Sequence, residues 1–246
     1  MKDIIVITGP TGVGKTALSI SLAKKINAEI VNADSMQFYK DLNIGTAKIK
    51  EEEKDGVKHH LFDIVLPEEM YTIYDYQKDA RQKIEEIIKK GKKVIMVGGS
   101  GLYIRAALYD YKLEEENVKL NFDDLSNEEL YKKVLEEDPF VTIHPNNRKR
   151  LIRFIEKSAI GKKDIPKAKK LYDFDIIGLT TERSILYDKI NKRVDKMLEE
   201  GLVEEVEALY SKNINSKAIN TGIGYKELSK YFNNDISLED AIDLIK

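Results

Sequence analysis

The stretch GPTGVGKT occupies residues 9–16 and directly follows the apolar run IIVI at residues 4–7. Its spacing is that of a phosphate-binding loop, G-x-x-x-x-G-K-[ST], and residues 16–26 have the composition of a helix. Glycines let backbone N–H groups turn toward phosphate oxygens, and the helix N-terminus adds positive charge. The sequence therefore predicts a strand, a P-loop and a helix. The residues expected to hold a phosphorylated ligand are Gly9, Pro10, Thr11, Gly12, Val13, Gly14, Lys15 and Thr16.

Two side chains of this loop have defined chemistry in P-loop proteins. Lys15 can reach the terminal phosphates of a ligand, and the Thr16 hydroxyl can ligate Mg²⁺. The flanking strand and helix argue against a chance glycine-rich turn. Mg²⁺ is therefore the expected cofactor, with Thr16 as its protein ligand.

The composition limits the class of protein. The chain has 246 residues, of which 42% are hydrophobic and 34% are charged, and it has no cysteine. Disulfides, thiolate nucleophiles and Cys-ligated zinc are thereby excluded. No apolar run has the length of a membrane span, and the first residues lack a signal-peptide core. We expect a cytoplasmic protein without membrane attachment, and a monomer.

The positive charge of the chain is concentrated in one segment. Residues 144–170 contain ten Lys and Arg side chains against Glu156 and Asp164, although the whole chain has a formal charge of −2. Such a segment is either a solvated helix face or a contact for a phosphate backbone, and charge alone leaves both open. The ten residues are Arg148, Lys149, Arg150, Arg153, Lys157, Lys162, Lys163, Lys167, Lys169 and Lys170.

Alternating strands and helices predict an α/β fold, a P-loop NTPase-like parallel sheet flanked by helices. Strands are predicted at 4–8, 29–33, 93–97 and 175–179, and helices at 15–26, 74–90 and 182–200. The segment 112–171 is charged and helix-like, and we interpret it as a helical insertion domain within a P-loop core domain of residues 1–111 and 172–246. Because the carboxyl ends of parallel strands share an edge, the P-loop, Asp34 and Gly98–Ser100 are expected to lie along one edge.

The position of the acidic residue argues against an ordinary ATPase. Enzymes of that kind carry a carboxylate at the end of a second core strand to help hold Mg²⁺. Here the strand at 93–97 is followed by Gly98, Gly99 and Ser100, and the acid is Asp34, after the earlier strand. Asp34 is a general base near the loop or a helix N-cap, and the pattern alone leaves both open.

Several further motifs occur in an order and spacing that resemble the tRNA dimethylallyltransferase family. They cover nearly the whole chain, and together they are far more specific than the P-loop alone. After the P-loop they are DSMQFYK at 34–40, NIGTAK at 43–48, HHLFD at 59–63, VGGSGLY at 97–103, IHPNNR at 143–148, the segment from Arg183 to Gly201-Leu202, and GIGYKE at 222–227.

The resemblance implies transfer of a dimethylallyl group from dimethylallyl diphosphate to N6 of adenosine 37, in the tRNA anticodon loop, with Mg²⁺. Asp34 matches the family's general base, and Thr11 matches a loop threonine that positions the reacting centre. Ser100 stands where the family usually has Thr, and Lys119 aligns with a catalytic arginine of the family. The Lys119 substitution keeps the charge but loses the bidentate geometry.

The resemblance also assigns the contacts with tRNA and implies that the insertion 112–171 is a tRNA-binding domain. The implied residues are Asp34, Ser35, Met36, Gln37, Lys149, Arg150, Leu151, Ile152, Arg153, Thr221, Gly222, Ile223, Gly224, Tyr225 and Lys226. Thr221 is shorter than the Gln or Arg that is usual there, and Tyr225 is either a core residue or an RNA contact. Family members usually continue beyond this end with a basic segment, so weak tRNA binding is expected of a chain that ends at Lys246.

Other functions share the same features. A P-loop kinase of small molecules or nucleotides, an adenylate isopentenyltransferase and a non-catalytic RNA-binding protein with a relic P-loop are the alternatives. The retained Lys15, Thr16 and Asp34 argue against the last of these. His59 and His60 suggest a metal, but two adjacent histidines without further ligands are more typical of a structural role.

Overall fold

A computed structural model of the protein describes residues 2–111, 120–139, 141–159 and 169–246. The chain divides into two compact units. Unit 1 comprises Met1–Tyr111 with Lys170–Lys246, and unit 2 comprises Lys112–Lys169. The role of the inserted segment as a tRNA-binding domain stays a prediction.

Unit 1 contains one parallel sheet of five strands, which confirms the predicted α/β class. The strands are β1 (Ile4–Thr8), β2 (Ala28–Asn32), β3 (His59–His60), β4 (Lys93–Val97) and β5 (Phe174–Gly178). Their order across the sheet is β3-β2-β4-β1-β5. The P-loop strand β1 is therefore internal, between β4 and β5.

Helices connect and follow these strands. In unit 1 they are α1 (Lys15–Ile26), α2 (Ile73–Lys89), α3 (Gly101–Leu108), α6 (Arg183–Glu199), α7 (Leu202–Ser211), α8 (Lys217–Thr221), α9 (Tyr225–Phe232) and α10 (Leu238–Ile245), and in unit 2 α4 (Asn127–Glu137) and α5 (Arg148–Ala159). A short 3₁₀ helix spans Glu51–Lys54. Among the residues described, no helix combines the length and the apolar character needed to cross a membrane.

Both faces of the sheet are covered, as the continuous apolar sequence of β1 indicates. Ile4 and Val6 pack into one cluster with residues of α2 and α3. Ile5 and Ile7 pack into another with residues of α1. A third cluster in unit 1 is formed chiefly by the helices from α6 to α10.

The predicted bounds of the elements agree with the structure to within about two residues. β1, α1 and β4 have the predicted bounds, whereas β2, β5 and α2 each lie one residue earlier than predicted. For β5 the difference arises at Phe174, which is buried and pairs with Ile4 at the start of the strand. In the sheet register Ile4 lies beside Val94 and Phe174, and Ala28 lies beside Lys93, so these four strands begin within one residue of the same level.

The carboxyl ends of the central strands lie side by side, as predicted for the P-loop, Asp34 and Gly98–Ser100. The Ala33 amide donates to the Val97 carbonyl (2.7 Å), and the Gly98 amide donates to the Ile7 carbonyl (3.2 Å). A Cβ atom on Gly98 would lie 2.2 Å from the Ala33 oxygen, so only glycine fits there. This contact brings the chain segments after β2 and β4 together.

Unit 2 has a small core of its own. Leu130 and Val134 of α4 pack there against Leu151 of α5. The Arg148 guanidinium donates to the carbonyl of Leu125 (2.6 Å) and so connects α5 to the turn before α4. This basic side chain therefore supports the fold of its unit.

Candidate active site

The P-loop has the backbone geometry of an anion site. Gly12 and Gly14 have positive φ angles of 75° and 92°, which side chains other than glycine rarely adopt. The Lys15 ammonium donates to the carbonyls of Gly9 (2.9 Å) and Pro10 (2.6 Å). Burial lowers the pKa of Lys15, the charge of Arg193 lowers it further, and that of Asp34 opposes the shift.

Asp34 begins a turn, not a helix, so the helix N-cap interpretation is wrong. Its Oδ1 accepts the Met36 amide (3.0 Å). Asn32 fixes the backbone beneath it: the Asn32 side chain accepts the Asp34 amide (2.9 Å) and donates to the Asp34 carbonyl (3.2 Å). The Asp34 carboxylate is half-buried and interacts electrostatically with Lys15 and Arg193.

One pocket of about 480 Å³ brings several of the predicted residues together. Thr11 comes from the P-loop, Asp34, Ser35 and Met36 from the turn after β2, and Thr221–Tyr225 from the segment between α8 and α9. Positions more than 200 residues apart in the sequence therefore share one cavity. The other lining residues are Gly45, Thr46, Ile190, Arg193, Val194, Met197, Leu202 and Ile245.

Arg193 on α6 belongs to the same site, although no sequence motif indicated it. Its guanidinium donates to the Thr11 hydroxyl (2.8 Å) and, at 3.5 Å, to the Thr46 carbonyl. Burial lowers the pKa of Arg193, and Asp34 opposes that shift. Arg193 also lines a second, wider depression of about 910 Å³, which includes Thr16. It therefore lies where the P-loop, Asp34 and both depressions meet.

Gln37 does not line the pocket, although it belongs to the same turn as Asp34. Its side-chain amide donates to the carbonyls of Thr46 (3.0 Å) and Ala47 (3.4 Å). Gln37 thus holds the segment 43–48, which contributes two residues to the pocket wall.

The segment from Thr221 to Lys226 is partly exposed and partly buried. Ile223 is 66% exposed, and Lys226 is exposed beside Glu227 (3.2 Å). Gly222 and Gly224 are buried, and a Cβ atom on Gly222 would lie 2.7 Å from the Met36 methyl carbon. The Thr221 hydroxyl donates to the Lys217 carbonyl (2.7 Å) within its own helix. The Thr221 hydroxyl proton is therefore used in a hydrogen bond within its own helix.

Tyr225 has no exposed surface, which favours the core alternative for this residue. Its hydroxyl donates to Glu205 (2.6 Å), and its ring lies against Gly45. Burial and the Glu205 carboxylate both raise the pKa of Tyr225, so its hydroxyl stays protonated. The tyrosine forms part of the pocket wall.

In unit 2 the predicted tRNA contacts divide between exposed and buried side chains. Lys149, Arg150 and Arg153 are exposed on α5. Leu151 has no exposed surface, and Ile152 is half-buried against the same core. Of the tRNA contacts predicted on α5, only these three basic side chains present charge to solvent. Lys119 lies outside the described residues, as do Lys162, Lys163 and Lys167 of the basic segment.

Ser100 and Thr16 lie at the N-termini of two helices. Ser100 precedes α3 and makes no capping hydrogen bond with its side chain. It does not line the pocket that contains Asp34. Thr16 is exposed in the first turn of α1 and lines the second depression.

A magnesium ion fits the hydroxyl of Thr16 as a single protein ligand. Within the described ranges, no group of three or more His, Asp or Glu side chains is arranged to hold a metal. Mg²⁺ often keeps few protein ligands and takes the others from substrate phosphates and water. An exposed hydroxyl beside a P-loop suits that form of coordination.

The two adjacent histidines contact the protein itself. His60 lies against Glu29, with Nε2 and the carboxylate oxygen 2.6 Å apart, and both side chains are buried. His59 Nδ1 lies 2.8 Å from the Val57 carbonyl. These contacts favour the structural role for both.

Comparison with known proteins places this geometry in a family. The family model described as IPP transferase matches residues 37–246. The tRNA dimethylallyltransferase of Enterococcus faecalis is 44% identical, over 100% of this chain and 84% of that protein. The protein of the same name from Bacillus subtilis is 43% identical, over 100% of this chain and 83% of its own length.

Solved structures agree with the sequence comparison. The full-length tRNA isopentenylpyrophosphate transferase from Bacillus halodurans has a TM-score of 0.77 at 39% identity, over 100% of this chain and 82% of that one. A eukaryotic dimethylallyltransferase acting on tRNA has a TM-score of 0.80 at 31% identity, and the match covers 100% of this chain and 66% of that one. Matches at these identities over the full chain, together with the family model, establish that the chain belongs to the IPP transferase family.

Proposed function

We propose that this protein transfers a dimethylallyl group from dimethylallyl diphosphate to N6 of adenosine 37 in tRNA and releases diphosphate. The observation that carries the proposal is one pocket in which Asp34, Thr11 and Arg193 meet, beside a P-loop, in a member of this family. A kinase is not favoured, because the named relatives are tRNA dimethylallyltransferases.

The reaction forms a bond between N6 and the first carbon of the allyl group and breaks the bond from that carbon to the diphosphate oxygen. The electron pair of the broken bond leaves with the diphosphate. The exocyclic amine is a weak nucleophile, since its lone pair is delocalised into the purine. We assign the N6 proton to the Asp34 carboxylate, which is half-buried and faces the pocket.

The charge that grows on the leaving diphosphate needs positive partners. Lys15, the amides of the P-loop and Arg193 would supply them, because all lie at the carboxyl edge of the sheet. Thr16 would hold Mg²⁺, which neutralises diphosphate charge when bound. Thr11, whose hydroxyl accepts a hydrogen bond from Arg193, would position the reacting carbon.

Contacts with RNA are assigned by the same argument. Lys149, Arg150 and Arg153 would meet phosphates of the anticodon stem-loop, since all three are exposed on α5. Ser35, Met36 and Ile223 line the pocket that would receive adenosine 37. A base in a loop is extruded at lower cost than one in a duplex. The cytoplasmic location and the monomeric state stay predictions.

Mass spectrometry of an anticodon stem-loop tests the proposal. We expect the purified protein, with dimethylallyl diphosphate and Mg²⁺, to add one dimethylallyl group to the stem-loop. A matched RNA with guanosine at position 37 should gain none. Parallel reactions offer AMP as acceptor, or ATP with a metabolite mixture.

Two outcomes would contradict the proposal. Prenylation of AMP in preference to the stem-loop would indicate an adenylate isopentenyltransferase. Formation of ADP with no prenylated RNA would indicate a kinase.

A further inference from the structure

Glu205 makes an unusual set of contacts on α7. Its carboxylate accepts the amides of Asn43 (2.9 Å), Ile44 (2.8 Å) and Gly45 (3.2 Å). It also accepts the Tyr225 hydroxyl at 2.6 Å. Consecutive backbone amides that converge on one anion form strong, charge-assisted hydrogen bonds.

No lysine or arginine in the described part of the chain forms an ion pair with Glu205. The negative charge is therefore balanced by the loop amides and the tyrosine hydroxyl. The carboxylate and the loop depend on each other, because removing either leaves polar groups of the other without partners.

The position of Glu205 is fixed by the core. Leu202, Val206 and Leu209 of the same helix are each no more than 2% exposed. They pack into the cluster that also contains Tyr225. Glu205 thus projects from a firmly packed helix toward two segments of the pocket wall.

Both segments held by Glu205 line the pocket that contains Asp34. Gly45 and Thr46 belong to one, and Tyr225 ends the other. A Cβ atom on Gly45 would lie 2.6 Å from the Tyr225 ring, so the two segments are in close contact. The Thr46 carbonyl in turn accepts from Gln37 and Arg193.

We propose that Glu205 is a positioning residue for RNA. By holding segment 43–45 against Tyr225, it sets the width of the pocket that receives the target base. The inference rests on the proposed function for the identity of the ligand. Glu205 itself makes no contact with the P-loop or with Asp34 among the contacts described.

The test compares Glu205→Gln with Glu207→Gln. Glutamine keeps the size of the side chain but replaces one acceptor oxygen with a donor, which faces the loop amides or the tyrosine hydroxyl. Glu207 is exposed on the same helix and serves as the matched control. The measurements are the Kd of an anticodon stem-loop by titration, kcat and KM of prenylation, and Tm.

We expect Glu205→Gln to raise the Kd and the KM for the stem-loop about tenfold and to change kcat by less than about threefold, as loss of a partly buried charge-assisted hydrogen bond predicts. The amides of residues 43–45 should exchange hydrogen faster. Glu207→Gln should match the wild type. A lowered Tm with unchanged Kd and KM would overturn the inference, because Glu205 would then act only as a scaffold.

Tyr225→Phe keeps the carboxylate in the loop and removes only the hydroxyl. It provides the test if Glu205→Gln does not fold, and its Kd should rise about threefold. An unchanged Kd in Tyr225→Phe would also overturn the inference. Failure of the wild-type protein to prenylate any RNA would refute the proposed function, whereas the Kd and exchange measurements would still decide the role of Glu205.

Discussion

Asp34 holds a turn and is the proposed general base, and single substitutions can separate the two roles. One carboxylate oxygen accepts the Met36 amide and so holds the turn. The proposed chemistry uses the basicity of the same group. Asparagine keeps an oxygen that can accept the Met36 amide, but its carboxamide is not basic. Asp34→Asn therefore removes the proposed base and preserves the turn.

We expect Asp34→Asn and Asp34→Ala to lower kcat by ~10²–10⁴-fold with diphosphate binding preserved, the range for loss of a general base. Single-turnover prenylation and diphosphate titration measure the two effects. Asp41→Asn, at an exposed ion pair with Lys212, is the control. Loss of diphosphate binding with an unchanged rate at saturation would refute the base.

The buried pair of Glu29 and His60 makes stability depend on pH. Burial alone would raise the pKa of Glu29, but the bonds from Lys92 and His60 outweigh it and lower the pKa to about 2. Burial lowers the pKa of His60 despite the opposing charge of Glu29. In both cases the unfolded chain binds protons at a higher pH than the folded protein, so acid favours unfolding.

We therefore expect the free energy of unfolding to fall below about pH 6.5 through His60, and again from about 4.5 toward 2 through Glu29. In the second pH window the free energy of unfolding should fall by up to about 3 kcal/mol. Urea unfolding at a series of pH values measures it. Glu29→Gln should remove the dependence in the lower window, whereas the exposed Glu68→Gln should retain it. Equal slopes in all three proteins would contradict the assignment.

At the scale of the secondary-structure elements, the chain after β4 approaches the chain after β2 closely at Gly98. An added methyl group on Gly98 would collide with the Ala33 carbonyl, which is backbone and cannot rotate away. Gly101, three residues later at the start of α3, has no atom within 4 Å of the corresponding position.

Gly98→Ala is expected to lower the free energy of unfolding by about 1–3 kcal/mol, the usual cost of overpacking. Gly101→Ala should be neutral or slightly stabilising, since alanine favours a helix more than glycine does. Urea denaturation compares the two. If both variants have the same free energy of unfolding, the Ala33 carbonyl does not exclude a side chain at position 98.

Local patterns predicted the elements with strong periodicity. The helix predicted at 74–90 has an apolar stripe in which Ala80, Ile84 and Ile87 are fully buried and Ile88 is half-buried. The small helices from α7 to α9 and the two-residue strand β3 were not predicted, because short elements depend on tertiary packing for their stability.

The site was predicted where motifs are local and missed where folding brings distant residues together. The P-loop and Asp34 follow strand ends and could be placed from the sequence. Arg193 and Glu205 could not, since the sequence of an amphipathic helix does not show whether a charged residue faces solvent or a site inside the protein. One signal was present: Arg193 lies on the apolar stripe of Ile190, Val194 and Met197.

The whole molecule carries its charge unevenly, and salt should reveal what that charge contacts. RNA affinity decreases with salt in proportion to the number of phosphates neutralised. Lys149 and Arg150 are exposed on α5, and Lys132 and Lys133 are exposed on α4 of the same unit. These pairs form a matched comparison.

The double variant Lys149→Ala/Arg150→Ala should weaken stem-loop binding and reduce the slope of log K against log salt by about 0.7 for each lost phosphate contact. Filter binding at several salt concentrations measures the slope. Lys132→Ala/Lys133→Ala should leave it unchanged. Equal slopes for the two variants would mean that α5 has no special role in binding.

The order of strands has a consequence for the growing chain on the ribosome. Ile4 pairs with Phe174, so one edge of β1 stays open until 170 further residues have been added. At about 5–20 residues per second this interval lasts roughly ten to thirty seconds. Arg193 is translated later still, and only then does Thr11 gain its partner. Thr11 is thus synthesised 182 residues before the arginine that contacts it.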